Sequence, residues 1–226
     1  ITGPTGSGKT TTLYATLEKI NNEKQKIITV EDPVEYQLDG ITQIQANASI
    51  GLSFAQGLRS IVRQDPDVLM IGEIRDHETA EIAIESALTG HLVFSTLHTN
   101  DAAGAVTRLQ DMGVQGYLIS SSMLAIQAQR LVRRVCTDCA QTHPLSTDEA
   151  TALEIDINAI SEIRRGSGCE RCGQTGYRGR VGLYELLIMS DAIRHHIASG
   201  ADANTIRDEA IIEGMKTLRQ DALEKL

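Results

Sequence analysis

Gly3-Pro4-Thr5-Gly6-Ser7-Gly8-Lys9-Thr10 has the spacing G-x-x-x-x-G-K-[ST], which suits one task, the holding of a polyphosphate. The glycines let the backbone turn tightly and bring its N–H groups onto the phosphates. Lys9 is placed to reach the β- and γ-phosphates, and the Thr10 hydroxyl to hold Mg²⁺. Thr11 completes the set and opens a helical pattern that runs to Lys19. The loop therefore leads into a helix N-terminus, where unpaired N–H groups and the helix dipole favour an anion. A Gly-rich turn matching by chance is the bland alternative, and the helix behind the loop argues against it. The site expected is one for a nucleoside triphosphate, ATP with Mg²⁺.

Two further stretches carry acids. Lys26-Ile27-Ile28-Thr29-Val30 reads as a short strand ending in Glu31-Asp32-Pro33-Val34-Glu35. Pro33 stops the strand, so the carboxylates stand at its C-terminal edge, where α/β proteins bind ligands. A solvated acidic turn would look the same. Val68-Leu69-Met70-Ile71-Gly72-Glu73-Ile74-Arg75-Asp76 is a nearly unbroken apolar run ending in an acid. Such a buried parallel strand delivers a carboxylate to magnesium or its water. Gly72 stands where a generic Walker B motif has Asp, which moves the acid to Glu73; a core strand ending in a surface Glu is the alternative. His91-Leu92-Val93-Phe94-Ser95-Thr96-Leu97-His98 reads as another buried strand with a histidine at each end. Those histidines are either satisfied structural residues or groups that reach the phosphates, and spacing does not choose.

The four cysteines form two pairs, Cys136-x-x-Cys139 and Cys169-x-x-Cys172. Each pair can chelate one ion through a tight turn, and together they offer the four thiolates that tetrahedral Zn²⁺ prefers. Disulfides and an iron–sulfur cluster are the competitors. Zinc with four protein ligands has no open position, so its role would be structural. The long segment between the pairs makes an excursion, with Thr147-Asp148-Glu149 placed to cap a short helix. Beyond the second pair, Arg178 and Arg180 sit in a Gly-rich loop that either is solvated or faces phosphate or a neighbouring subunit.

The elements that must position these residues follow from periodicity and punctuation. Ile41–Ile50 alternates weakly and suggests a hairpin. Helices are expected over Ser53–Gln64, over Thr79–Leu88, from an Asp101 cap to Met112, and over the amphipathic stretch Tyr117–Leu131. Ser190–Leu226 reads as three short helices broken near Gly200 and Gly214. Strands alternating with helices point to an α/β fold: a RecA-like P-loop core at 1–132, a tetracysteine zinc module at 133–182 and a C-terminal helical segment at 183–226. Asp and Glu outnumber Lys and Arg by 30 to 21, a net charge of −9, which argues against a general nucleic-acid surface. No run of about twenty apolar residues exists to span a membrane. A soluble, cytoplasmic chain is expected. Only Ile1-Thr2 precede the loop where a whole strand belongs, so the sequence reads as a piece cut from a longer chain.

Taken together, these residues resemble the type II secretion and type IV pilus assembly ATPases, the family of general secretion pathway protein E and pilus-assembly protein B. Its phosphate loop matches Gly3 to Thr10. Its Asp box matches Thr29 to Glu35, its Walker B Gly72 to Asp76 (anomalous glycine included), and its His box Thr89-Gly90-His91 through Leu97-His98-Thr99. Its tetracysteine motif matches all four cysteines. The resemblance implies magnesium on Thr10 and Glu73, and an attacking water polarised by Glu31 or Glu35. It also implies a γ-phosphate contact by His98 with His91 in support. It further implies a homo-hexamer, peripheral to the bacterial inner membrane, working on inner-membrane platform proteins and a membrane anchor through its cytoplasmic domain. Arginines would come from a neighbouring N-terminal domain, with Arg59, Arg63 and Arg75 as weak local candidates. The pilus-retraction branch lacks the tetracysteine motif, and the segments 118–122, 129–133 and 175–180 look closer to type II secretion than to pilus extension. Two other readings compete: a RecA-like nucleic-acid motor, disfavoured by charge and by the lack of aromatic–basic interleaving, and a platform gated by nucleotide binding without hydrolysis.

Overall fold

The computed structural model describes residues 1–226 apart from Glu23, Ile157, Ala159 and Ser161. It divides into two compact units. The first holds Ile1–Arg130 and Tyr184–Leu218, the second Leu131–Leu183 and Arg219–Leu226.

The first unit begins with the phosphate loop and α1 (Lys9–Ile20), followed by β1 (Ile27–Glu31), β2 (Thr42–Gln45), α2 (Phe54–Val62), β3 (Val68–Ile71), α3 (His77–Leu88) and β4 (Leu92–Ser95). The four strands form a parallel sheet in the order β2-β1-β3-β4. Every residue of β1 and β3 is buried, as parallel strands covered on both faces must be. Their alternate side chains nevertheless part company. Ile28, Val30, Leu69 and Ile71 join one apolar cluster, while Ile27, Val68 and Met70 pack with Leu13, Tyr14 and Leu17 of α1. The chain continues through α4 (Ala102–Asp111), α5 (Gly116–Ser122) and β5 (Ala125–Val135). Thr2 bridges in parallel to both Leu97 and Ala128, so Ile1-Thr2 runs between the end of β4 and β5. That places the phosphate loop at the C-terminal edge of the sheet, where ligands of open α/β folds bind.

Serine and aspartate caps set the helix starts. Ser53 accepts from the Gln56 N–H, Asp76 from Thr79 and Asp101 from Gly104. The Asp101 cap agrees with the sequence reading, and α2 lies within the expected Ser53–Gln64.

Two expectations about individual elements of the first unit fail. In place of a hairpin over Ile41–Ile50 there is one edge strand, β2, paired in parallel with β1, and a single 3₁₀ turn at Ala48–Ile50. Alternation reports a half-buried face but not the direction of the partner. The second half also turns away because the Asn47 side chain accepts from the Ser49 N–H and hydroxyl. The amphipathic stretch Tyr117–Leu131 is not one helix. The α5 helix stops at Ser122, where three successive serine hydroxyls donate back to the carbonyls of Tyr117 and Leu118. Arg194 donates to the carbonyls of Ser120 and Met123 and closes the helix end. From Ala125 the chain is extended, with Ile126 and Ala128 buried at a period of two.

In the second unit, β6 (Ala140–Pro144) and β7 (Glu162–Gly166) pair antiparallel. Between them lies α6 (Thr147–Ala152), whose cap is Ser146, with Glu149 closing a capping box. Next, β8 (Tyr177–Ile188) pairs with β5. The last helices are α7 (Asp191–Ala198), α8 (Ala203–Ile212) and α9 (Leu218–Glu224), three with breaks at Gly200 and Gly214. Where a separate C-terminal subdomain from residue 183 was expected, Tyr184–Leu218 belong with the first unit, because Leu187, Ile193, Ile197 and Ile206 are buried in its core.

Candidate functional site

The phosphate loop is shaped by close approach. A Cβ at Gly3 would stand 2.5 Å from the Gln129 carbonyl oxygen and 2.7 Å from Ser7 Oγ, so no other residue fits there. Pro4, Thr5 and Gly6 are exposed at the tip and Ser7 is buried. Lys9 Nζ donates to the carbonyls of Gly3 at 2.8 Å and Pro4 at 3.2 Å, which tucks the ammonium against its own loop. Burial holds the Lys9 pKa below the usual lysine range; Glu73 works against that shift and Arg130 adds to it. The ammonium is thus held by two loop carbonyls between an acid, Glu73, and a like charge, Arg130. Thr10 is half-buried in the first turn of α1, and Thr11 is exposed.

Glu73 follows β3 by two residues. The intervening Gly72 has a packing cause: a Cβ there would lie 3.3 Å from Glu31 Cα and 3.4 Å from the Val30 carbonyl oxygen. An aspartate at that position would not fit without movement of β1, so the acid falls one residue later. The turn is stitched to β4, with the Thr96 hydroxyl donating to the Gly72 carbonyl at 2.6 Å and the Ile74 N–H donating to the Thr96 carbonyl at 3.0 Å. Thus Glu73 and His98 arrive together. Glu73 pairs with Arg75 at 2.5 Å, and its other oxygen lies 3.6 Å from His98 Nε2. Burial, then Lys9, holds the His98 pKa below the usual histidine value, so its ring is neutral at neutral pH.

The Asp-box acids part in role. Glu31 is 3% exposed and its carboxylate is fully engaged. The Tyr14 hydroxyl donates to one oxygen, and the Thr29 hydroxyl and Gln43 Nε2 donate to the other. Burial, and then the bond to Glu31, raises the Tyr14 pKa well above the tyrosine range, so the phenol stays a donor. The side chain of Glu35 is exposed, and its backbone N–H donates to the same Tyr14 oxygen at 3.3 Å. A buried carboxylate that already accepts from three donors leaves little room for a water, whereas the exposed one is open to it.

His91 lies at the other end of β4 from His98, its Nδ1 2.9 Å from the Ser86 carbonyl at the close of α3. The structure does not bring the two histidines together. The strand they were expected to bracket is shorter, at Leu92–Ser95. Of the local arginines, Arg59 pairs with Glu78 on α3 and only Arg75 stands beside a candidate catalytic acid. Sequence reasoning missed Tyr14, Gln43, Thr96 and Gln129. Tyr14 lay unremarked within the helical pattern Thr11–Lys19, and Gln129 fell in a segment taken as helical.

In the second unit, the four cysteine Sγ atoms lie within 4.8 Å of one another. Cys136–Cys169 and Cys139–Cys172 are 3.9 Å apart and Cys169–Cys172 3.6 Å. These spacings are far longer than a disulfide of about 2.05 Å. A regular tetrahedron with metal–sulfur bonds of about 2.3 Å has edges of about 3.8 Å. The N–H groups of Cys169 and Gly176 donate to Cys172 Sγ at 3.2 and 3.3 Å. Burial opposes ionisation of Cys172, yet those N–H donors together with the Cys169 and Cys139 thiols outweigh it and hold the thiol down to about 6. Cys139 is pushed up to about 12, by burial first and by the neighbouring thiols. The donor set therefore fits one tetrahedral cation. Outside it, Arg171 and Arg178 converge on Asp138 at 3.0 and 3.8 Å, which gives Arg178 an acidic partner in its own chain.

The family model described as type II/IV secretion system protein matches residues 1–226, the whole chain. The chain belongs to that family. Among its relatives is the type II secretion system protein E of Klebsiella pneumoniae, 52% identical over 225 residues that make up all of this chain and 45% of that protein. The type IV pilus assembly ATPase PilB of Thermus thermophilus is 51% identical over all of this chain and 26% of its own length. The chain thus spans less than half the length of these relatives. Among solved structures, the pilus retraction motor PilT with bound ADP matches with a TM-score of 0.63 and 32% identity, covering 100% of this chain and 60% of that one. The α/β fold with a parallel sheet, expected from the sequence, is shared with that pilus retraction motor.

Proposed function

We propose that this chain is the nucleotide-hydrolysing part of an ATPase motor for type II protein secretion. The observation that carries the reading is the Glu73 carboxylate, which the end of β3 sets 2.5 Å from Arg75 and 3.6 Å from His98 Nε2, in a chain whose phosphate loop folds Lys9 onto the Gly3 and Pro4 carbonyls. Bound Mg²⁺ would neutralise charge on the transferring phosphoryl group, and Thr10 and Glu73 would hold it. Lys9 would leave the Gly3 and Pro4 carbonyls for the β- and γ-phosphates. Glu35, the exposed acid, would orient and deprotonate the attacking water, while Glu31 fixes β1 and Tyr14 beneath it. His98 would meet the γ-phosphate as a neutral donor; His91 keeps a structural place at the end of α3. The four cysteines would hold zinc, which supplies cross-linking alone.

As in the family reading, the working form is a hexamer at the cytoplasmic face of the inner membrane, engaging membrane-embedded platform partners. Pilus extension is the second reading, favoured by 51% identity to a pilus assembly ATPase. The test is ATP hydrolysis by the full-length protein with and without those partners, beside Glu35→Gln and Glu31→Gln. Loss of a positioned general base costs about 10²–10⁴-fold, so Glu35→Gln should bind ATP and turn it over at least about 100-fold more slowly. Hydrolysis unchanged in Glu35→Gln would transfer the role to Glu31. No hydrolysis by the intact protein under any condition would overturn the motor.

A further inference from the structure

Gln129 on β5 lies outside the phosphate loop and the Asp, Walker B, His and cysteine motifs, yet it is 2% exposed and both its side-chain polar atoms are bonded. Its Nε2 donates to the Ser7 carbonyl at 2.7 Å, and its Oε1 accepts from the Thr12 hydroxyl at 2.9 Å and from Gln127 Nε2 at 3.2 Å. Its backbone belongs to the same junction, with the N–H donating to the Thr2 carbonyl at 2.9 Å. One side chain thus spans the phosphate loop and the first turn of α1.

The bond to Ser7 has a directional consequence. A trans peptide is planar, and its C=O and the following N–H point in opposite directions. Holding the Ser7 carbonyl toward β5 therefore aims the Gly8 N–H away from β5. Gly8 has φ 87° and ψ 17°, in the left-handed region that glycine enters without penalty. A peptide followed by such a glycine can rotate at little cost unless something holds it. Among the described residues no acceptor is bonded to the Gly8 N–H.

We propose that Gln129 is a positioning residue that locks the Ser7–Gly8 peptide, so that the Gly8 N–H stands ready to donate to a nucleotide phosphate. The inference rests on the nucleotide-binding reading above. Without the lock the peptide samples the rotated state, in which a carbonyl oxygen instead of an N–H faces the phosphates, and affinity falls by the fraction of time so spent. Because the loop holds phosphate in ground and transition states alike, KM should rise while kcat stays nearly constant.

The experiment is titration of the full-length protein with a fluorescent ATP analogue, together with steady-state hydrolysis, for wild type, Gln129→Leu, Gln129→Glu and Thr12→Val. Thr12→Val removes the other main partner but spares the donor to Ser7. Both Gln129 variants should bind about tenfold more weakly, with KM raised in parallel, and Gln129→Glu, which sets oxygen against oxygen, should be the worse. Thr12→Val should stay within about twofold of wild type; a charged hydrogen bond lost from the phosphate accounts for that contrast. Affinity unchanged in the Gln129 variants, or an equal loss in Thr12→Val, overturns the lock. Thermal unfolding without nucleotide separates a general loss of fold, which would lower the melting temperature without the KM-specific change. Failure of wild type itself to bind the analogue would instead overturn the nucleotide reading.

Discussion

The phosphate loop and the tetracysteine cluster are held in shape by opposite means. Around the loop, partners come from far along the chain. Gln129 reaches Ser7 across 122 residues, and Thr2 pairs with Thr99 across 97. Glu31 is clamped by Tyr14, Thr29 and Gln43. At the cysteines the contacts within each knuckle are short, such as Cys169 N–H to Cys172 and Gly176 N–H to Cys172. There the long-range closure, Cys136 to Cys169 and Cys139 to Cys172, is between thiols that give each other little attraction. The first region is preorganised by packing; the second needs a cation to be worth closing. One follows the fold, and the other helps to make it.

That contrast breaks most visibly at the metal. A structural zinc contributes roughly 10–16 kcal/mol of apparent binding energy in small domains. Cys172→Ser should therefore remove the metal and unfold the second unit. Bound metal measured by mass spectrometry should fall from about one ion per chain to none, with proteolysis confined to residues 131–183. Uniform protection of that segment after metal loss would show the cluster to be a passenger.

Lys9→Ala should do the reverse: turnover falls below detection while the unfolding midpoint changes little, because the ammonium is held only by two loop carbonyls. A smaller effect is expected at Tyr14→Phe, which strips one donor from the buried Glu31 carboxylate. A donor lost from a buried charged partner costs about 1–3 kcal/mol, measurable as a shift in denaturant midpoint. No shift would mean that Thr29 and Gln43 suffice.

The mildest test is pH. Glu149 is held down to about 2, chiefly by the Ser146 backbone N–H and then by Arg165 and the Ser146 hydroxyl. Because its folded value is depressed, its contribution is present in full above the ordinary carboxylate value of about 4.3 and is lost as pH falls through about 2. Glu149→Gln should flatten that part of the stability profile of the second unit and leave the rest unchanged.

The local chemistry of this chain was determined by contiguous sequence. The phosphate loop needs glycines and a lysine at set intervals, and a knuckle needs two cysteines three apart; such patterns survive without knowledge of partners. The helix cap at Asp101, a helix starting near Ser53 and the parallel sheet implied by the unbroken apolar run at Val68 were readable for the same reason. Tertiary structure decided which of the two Asp-box glutamates is clamped by donors and which is exposed, because that depends on Tyr14 and Gln43 reaching the same carboxylate. It also decided that His98 stands beside Glu73 while His91 meets the Ser86 carbonyl, that Tyr117–Leu131 changes from helix to strand after its serines, and that Gln129 touches the loop. Periodicity reports which face of an element is buried. What that face is buried against is set by pairings between residues far apart in the chain, and no local pattern carries them.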